Sequence, residues 1–231
     1  MNGTTRRRAG DIITAYAAFA LCYPNLMQRL SVSLVVLLLV LTMAGCVTAP
    51  PRATANVCDI FQEKSGWYDD ARDAFDRWGA PIHVQMAIIH QESRFVGDAR
   101  PPRKRLFWFI PWTHISSAYG YSQALDSTWD WYKRDTGNSW ADRDDFSDAT
   151  DFVGWYIDQS HARAGISKWD AYDQYLAYHE GQAGYRRGSY RAKPWLQRTA
   201  GRVDARAGRY ASQLDGCREA LEHPGHWWWP F

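Results

Sequence analysis

The segment from Pro81 to Glu92 constrains this chain more than any other, because it reads as an apolar helix that ends on a carboxyl group. Ile82, Val84, Met86, Ala87, Ile88 and Ile89 fall around most of its circumference. A helix without a polar face belongs in a core. Pro81 suits a first helical position, where its missing N–H costs nothing. At the other end, Glu92 meets two effects that favour its neutral form: desolvation, and the negative pole of the helix dipole. A Glu that keeps its proton near neutral pH is a general acid. The same residue at a frayed helix end would be a surface charge, and two segments downstream bear on the choice.

The rest of the chain after residue 45 reads as mainly helical, with few alternating β-branched runs. Residues 58–222 are expected to form one domain, and residues 46–57 a polar, Pro-containing tether. Asp59 to Trp78 predicts one or two helices stopped by Gly79, and a loop is expected from Val96 to Ser117. Asp126 is a candidate N-cap for Ser127 to Thr136, and Ser147 or Asp148 for a helix reaching His161. Residues 169–180 predict another helix. After Pro194, Leu196, Thr199, Val203, Ala207, Tyr210, Leu214, Cys217 and Leu221 recur at three- and four-residue steps, which predicts a long helix with one packed seam.

Residues 30–45 form an apolar run followed at once by Cys46. Together they have the form of a bacterial lipoprotein signal, with Ala44 and Gly45 suited to cleavage before Cys46 and the Cys46 thiol suited to lipidation. An uncleaved membrane anchor is the competing reading, for which the run is short and its small-residue end unusual. Met27 with Arg29 would give a more ordinary charged start to such a signal than the first 26 residues. Val47 rather than Asp after the lipidated cysteine favours the outer membrane, facing the periplasm, over inner-membrane retention.

Charge and cysteines fit an exported protein. The chain has 27 basic and 25 acidic residues; four Arg and one Asp fall within residues 1–45, so cleavage leaves 23 and 24. A nearly neutral mature chain argues against a nucleic-acid binder that works through bulk charge. About 185 residues suffice for one domain with a real core. Cys22 leaves with the signal and Cys46 is lipidated, so Cys58 and Cys217 remain as an expected disulfide in an oxidising compartment, two buried thiols being the alternative.

Downstream of Glu92 come Ala118-Tyr119-Gly120-Tyr121-Ser122-Gln123 and Tyr175-Leu176-Ala177-Tyr178-His179-Glu180-Gly181. In this order and spacing, the three segments resemble the lytic transglycosylase family with the SLT domain, a lysozyme-like fold whose motifs are a Glu-Ser pair, a Gly-Leu-Met-Gln-like turn and an Ala-Tyr-Asn-Ala-Gly-like helix end. Glu92 and Ser93 match the first motif. Gly120 and Gln123 match the ends of the second, with Tyr121 and Ser122 in place of Leu-Met. Ala177, Tyr178 and Gly181 match the third, with His179 for Asn and Glu180 for Ala. The match covers roughly residues 80–185. It implies a lysozyme-like helical domain after a cleaved lipoprotein signal peptide, acting on peptidoglycan glycan strands as a monomer, with no cofactor and no metal.

The implied chemistry is non-hydrolytic cleavage between N-acetylmuramic acid and N-acetylglucosamine, leaving 1,6-anhydro ends. Glu92 is the implied acid and base. Ser93, Gln123, Tyr119 and Tyr178 are the implied substrate contacts; three of them have a structural alternative, capping for Ser93, turn geometry for Gln123 and core packing for Tyr178. Glu180 stays open. Facing the cleft, it would be a substrate contact or the second carboxylate of a hydrolysing muramidase; otherwise it is structural, together with His179. A zinc-protease reading of His179-Glu180 fails because Ala183 stands where a second His is needed. A lipoprotein that only binds glycan through the same groove is the alternative from another class.

Three further features remain. The stretch Arg100 to Thr113 is longer than the family pattern, and Arg103, Lys104 and Arg105 are suited to stem-peptide carboxylates while Phe107, Trp108 and Trp112 are suited either to sugar faces or to covering the core. The tail of residues 223–231, with Trp227, Trp228 and Trp229, reads as packing on the domain, with a membrane interface as the second option. Arg186, Arg187, Arg191, Arg198, Arg202, Arg206 and Arg209 read as a solvated helix face rather than an anion site.

Overall fold

A computed structural model describes residues 49–101, 103–106, 110–114 and 116–223. The apolar run of residues 30–45, Cys46 and the tail of residues 224–231 lie outside them. The described chain is mainly helical: α1 (Val57–Glu63), α2 (Trp67–Trp78), α3 (Ile82–Ser93), α4 (Asp126–Thr136), α5 (Phe146–Ala164), α6 (Ala171–Arg186), a short 3-10 turn (Ser189–Ala192) and α7 (Pro194–Glu222). Between α3 and α4 lie two short strands, β1 (Arg103–Leu106) and β2 (Ile110–His114).

The apolar helix α3 is enclosed as its sequence demands. It packs against α2, α5, α6 and α7, and Val84, Met86, Ala87, Ile88 and Ile89 have no exposed surface. Gln85, also fully buried, is tolerated there because its amide donates to the carbonyls of Ala71 at 3.1 Å and Ala80 at 2.7 Å. Pro81 stands one residue before the helix, its carbonyl accepting from Val84 and Gln85.

Local chemistry accounts for most of the other boundaries. Gly66 separates α1 from α2, and Gly79 ends α2 in the left-handed conformation. Asp145, rather than Ser147 or Asp148, caps α5 by accepting the Asp148 N–H at 3.0 Å, and Asp126 is the first residue of α4 rather than its cap. Within α5, Asp151 accepts from Trp78 Nε1 at 2.7 Å, Tyr132 Oη at 2.6 Å and Arg77 Nη1 at 3.1 Å, which ties α2 and α4 to α5. The α7 seam buries Leu196, Thr199, Val203, Ala207, Tyr210 and Leu214 against α3 and α6.

The loop expected from Val96 to Ser117 is in part an antiparallel hairpin. Arg103 pairs with His114, Lys104 with Thr113, Arg105 with Pro111 and Leu106 with Ile110, with a register shift between Lys104 and Arg105. The shift lets Trp112 take the place of an extra residue, and Pro111 is accommodated beside that irregularity in a two-stranded ribbon where few ladder bonds are at stake. The periodicity of so short a ribbon is weak in sequence, which is why it reads as a loop.

Cys58 in α1 and Cys217 in α7 form a disulfide with a Cα–Cα distance of 6.1 Å across 159 residues. Closing a loop of that length restricts the unfolded chain by about 5 kcal/mol in the chain-entropy model, of which proteins usually realise less. Replacing both cysteines by serine should lower the melting temperature by roughly 10 °C; equal melting of the variant and the oxidised protein would show that the pair contributes nothing to stability.

Candidate active site

Glu92 occupies the last turn of α3, and the residues after it are what hold it in place. Arg94 and Phe95 both have left-handed backbone conformations, with φ of 53° and 64°. Neither residue type adopts that region readily, at a cost of about 1–2 kcal/mol each. Burial of Phe95 offsets it: the ring is fully enclosed, with centroids 5.8 Å from Trp67 and 5.7 Å from His90. The chain therefore turns sharply at the end of α3 and leaves the Glu92 side chain at the edge of the core, part of its surface still accessible.

Two tyrosines of α6, one helical turn apart, face this carboxyl. Burial is the main reason the Glu92 carboxyl is pushed up to about 7, and a hydrogen bond from Tyr175 opposes the rise. Tyr175 and Tyr178 feel the carboxylate in return: burial first, then the charge of Glu92, pushes both phenols upward. Tyr178 spends its proton elsewhere, donating to the Ser122 carbonyl at 2.6 Å. It thereby joins the third motif to the second, directly beside Glu92.

The second motif is a turn built on close backbone approach. Gly120 has φ of 81°, and a Cβ there would lie 2.0 Å from the Arg143 carbonyl oxygen, so no side chain fits. Gln123 also has positive φ, at 50°, and its amide donates to the carbonyls of Ala99 at 2.9 Å and Gly120 at 2.8 Å. Both amide hydrogens thus hold the turn; the amide oxygen is the part of Gln123 left for a ligand. Tyr119 donates to Asp144 at 2.7 Å, and the Arg100 guanidinium lies 4.0 Å from its ring. Ser93 is buried and donates back to the Ile89 carbonyl at 3.3 Å.

Glu180 is bound by its own neighbourhood. Its carboxylate accepts from Lys193 at 2.6 Å, from His179 Nδ1 at 2.9 Å and from Ser189, and its side chain is only 5% exposed. Burial alone would raise this carboxyl, but the hydrogen bonds from Lys193, Ser189 and His179 pull it down to about 2. The helix breaks one residue later at Gly181, where φ of 70° and ψ of 155° exclude any residue with a Cβ. Glu180 thus fastens the chain beyond the break to the start of α7. The carboxyl groups of Glu92 and Glu180 have opposite characters: one is desolvated without a cation, the other is covered by three donors.

Sequence motifs pointed to Glu92, Gln123 and Tyr178, and the fold brings these three motifs together. They did not point to Tyr175 as the donor to Glu92, nor to Phe95 as the anchor of the turn. Tyr175 was visible one helical turn before Tyr178, a spacing that puts both on one face. Phe95 gave no signal, since positive φ in a bulky residue has no sequence signature. Among the described residues, no group of three or more His, Cys, Asp or Glu side chains is placed to hold a metal ion.

A raised folded-state value makes the Glu92 contribution to stability pH-dependent. It is fully present below the ordinary carboxylate value and lost as pH rises through about 7, because the folded protein then holds a buried charge. Glu92→Gln, which keeps shape but removes ionisation, should therefore raise the melting temperature at pH 8 by about 5 °C relative to its effect at pH 5. Equal effects at the two pH values would mean that the carboxyl is not desolvated. Against known proteins, the family model described as a transglycosylase SLT domain matches residues 34–217. No curated protein matches the chain.

Proposed function

The chain belongs to the transglycosylase SLT-domain family, and from that premise we propose that it cleaves the N-acetylmuramic acid to N-acetylglucosamine bond by internal transfer, leaving 1,6-anhydro ends. A lytic transglycosylase-type activity on peptidoglycan in the cell envelope goes with the family; the anhydro product and the residue roles are our reading. The observation that carries it is the partly accessible but desolvated carboxyl of Glu92, pushed up to about 7 with no cation beside it.

In this reading Glu92 begins protonated and gives its proton to the glycosidic oxygen as the bond to the muramic anomeric carbon breaks. The leaving N-acetylglucosamine end takes up that proton as a hydroxyl. The muramic acetamido oxygen supports the electron-poor anomeric carbon, so no protein nucleophile is needed. Glu92, now a carboxylate, takes the proton of the C6 hydroxyl; the C6 oxygen closes on the anomeric carbon, and Glu92 is protonated again. Tyr175 supports the carboxylate between the two proton transfers. Tyr178 and the Gln123 turn shape the floor on which the sugar lies, with the Gln123 amide oxygen as an acceptor for a substrate N–H or hydroxyl. Ser93 and Tyr119 act by holding the helix end and the turn.

A hydrolysing muramidase would use Glu180 to activate water. A carboxylate at about 2 with three donors on it is a poor base, which favours the single-carboxylate route. The same carboxylate is for that reason a scaffold group rather than a substrate contact. Attachment through lipidated Cys46 to the outer membrane, and action as a monomer, belong to the same proposal. Among the described residues no helix is long and apolar enough to cross a membrane.

Incubation with purified peptidoglycan and mass analysis of the released fragments tests the reading. Anhydro-muramic ends should appear, and Glu92→Gln should reduce their release by about a thousandfold; reducing ends that persist would make the protein a hydrolase. As pH rises through about 7, kcat/KM should fall, because the free protein must carry the Glu92 proton. In Tyr175→Phe the lost hydrogen bond no longer lowers Glu92, so that alkaline limb should move to higher pH; an unmoved limb would remove Tyr175 from the mechanism.

A further inference from the structure

The arginines of α7 are segregated, and the structure adds one from α3 to their row. At 100° per residue, Arg202, Arg206 and Arg209 share one flank of the helix beside the buried seam, whereas Asp204 and Asp215 fall on the opposite flank. Because α3 packs on α7, Arg94 at the C-cap of α3 faces the same region. A chain of contacts fixes the alignment: the Arg206 guanidinium lies 5.8 Å from the Tyr210 ring, Tyr210 donates to the Thr54 carbonyl at 2.5 Å, and Thr54 Oγ1 meets His90 Nε2 at 3.2 Å. Arg202 donates to Thr199 at 2.8 Å.

Among the described residues none of these four arginines forms an ion pair, and all but the half-buried Arg206 are exposed. The charges lie close together. After burial, Arg206, Arg94 and Arg209 are the causes that push the His90 imidazole down to about 4, so His90 adds no charge of its own. At the other end of the row, Arg202 is close enough to Tyr175, the donor to Glu92, to act on its phenol. The row therefore begins beside the candidate acid and runs away from it.

We propose that Arg94, Arg202, Arg206 and Arg209 form a strip that binds the carboxylates of the peptide stems carried by the glycan strand in the Glu92 cleft. This rests on the transglycosylase reading, since that reading puts a muramic acid residue, the sugar that bears the acidic stem, at Glu92. From position 202 to position 209 the helix advances about 10 Å, the length of roughly three extended residues. A stem leaving the sugar beside Tyr175 meets the exposed guanidinium groups of Arg202, Arg209 and Arg94, each able to take a carboxylate in a two-pronged hydrogen bond, while half-buried Arg206, held on Tyr210, adds its charge. The strip is a specificity device: it selects strands that carry stems over bare glycan.

The full chain and the triple variant Arg94→Gln/Arg202→Gln/Arg209→Gln, which leaves Arg206 on Tyr210, should be compared on stem-bearing strands and on strands stripped of their stems. The ratio of kcat/KM between the two substrates should fall about tenfold in the variant, as expected for the loss of three exposed ion pairs, and high salt should abolish the difference. A ratio that does not change, or an equal loss on both substrates with unaltered melting, would overturn the proposal. Should the protein turn over neither substrate, the transglycosylase reading fails, and co-sedimentation still tests the strip: preferential binding to stem-bearing sacculi that the variant loses supports it, and no preference in the parent overturns it. Loss of binding to vesicles containing phosphatidylglycerol with the stem preference intact would assign the strip to a lipid surface instead, and equally overturn it.

Discussion

Enclosing α3 is the constraint on which the remaining architecture depends. A helix with apolar residues around its circumference is stable only where other elements remove all of its faces from water, and burying each large aliphatic side chain contributes about 1.5–3 kcal/mol. Four helices supply the enclosure. Because α7 provides one wall and α6 another, the long seam of α7 and the tyrosine face of α6 are drawn to the same place. The Cys58–Cys217 link then joins α1 to α7.

The chemistry at the end of α3 is a consequence of the same enclosure. Glu92 lies in the last turn of α3, where His90, Gln91 and Glu92 are each partly accessible, and it is set against tyrosines rather than against a cation. A carboxyl in that position keeps its proton up to about pH 7 because burial disfavours its charge and no cation compensates, although the Tyr175 hydrogen bond pulls the other way. Glu180, two residues beyond Tyr178, shows the contrast. There the fold supplies an ammonium, a hydroxyl and an imidazole, and the carboxyl is ionised and enclosed. Environment leaves one carboxyl able to hold a proton near neutral pH and uses the other, ionised, to hold the chain together.

Backbone strain is concentrated where the three motifs meet. Arg94, Phe95 and Gln123, the non-glycine residues of positive φ among those described, all lie in the two turns that frame Glu92 and Tyr178. Each is held by something specific: the buried ring of Phe95, or the two carbonyls that accept from Gln123. Strain of this kind survives only when the packing around it over-determines the conformation, and it gives the site a geometry that loosely packed turns would not keep.

Read alone, the sequence determined the helical class, the apolar α3 with Glu92 at its end, the seam of α7 and the three motifs that mark the family, and it left Cys58 and Cys217 as the expected pair that the structure joins. These depend on periodicity, on residue type and on cysteine count, all of which are local or additive properties of a chain. Only the tertiary structure decided that Tyr175 is the group facing Glu92, that Glu180 is bound by Lys193 and Ser189, that both amide hydrogens of Gln123 go to backbone carbonyls, and that Arg94 joins the arginines of α7. Each of those outcomes depends on which surfaces meet across tens of residues. Hydrogen bonds and desolvation act over a few ångströms, so their effect on a carboxyl is set by neighbours in space, and the order of residues along the chain does not contain that information in readable form.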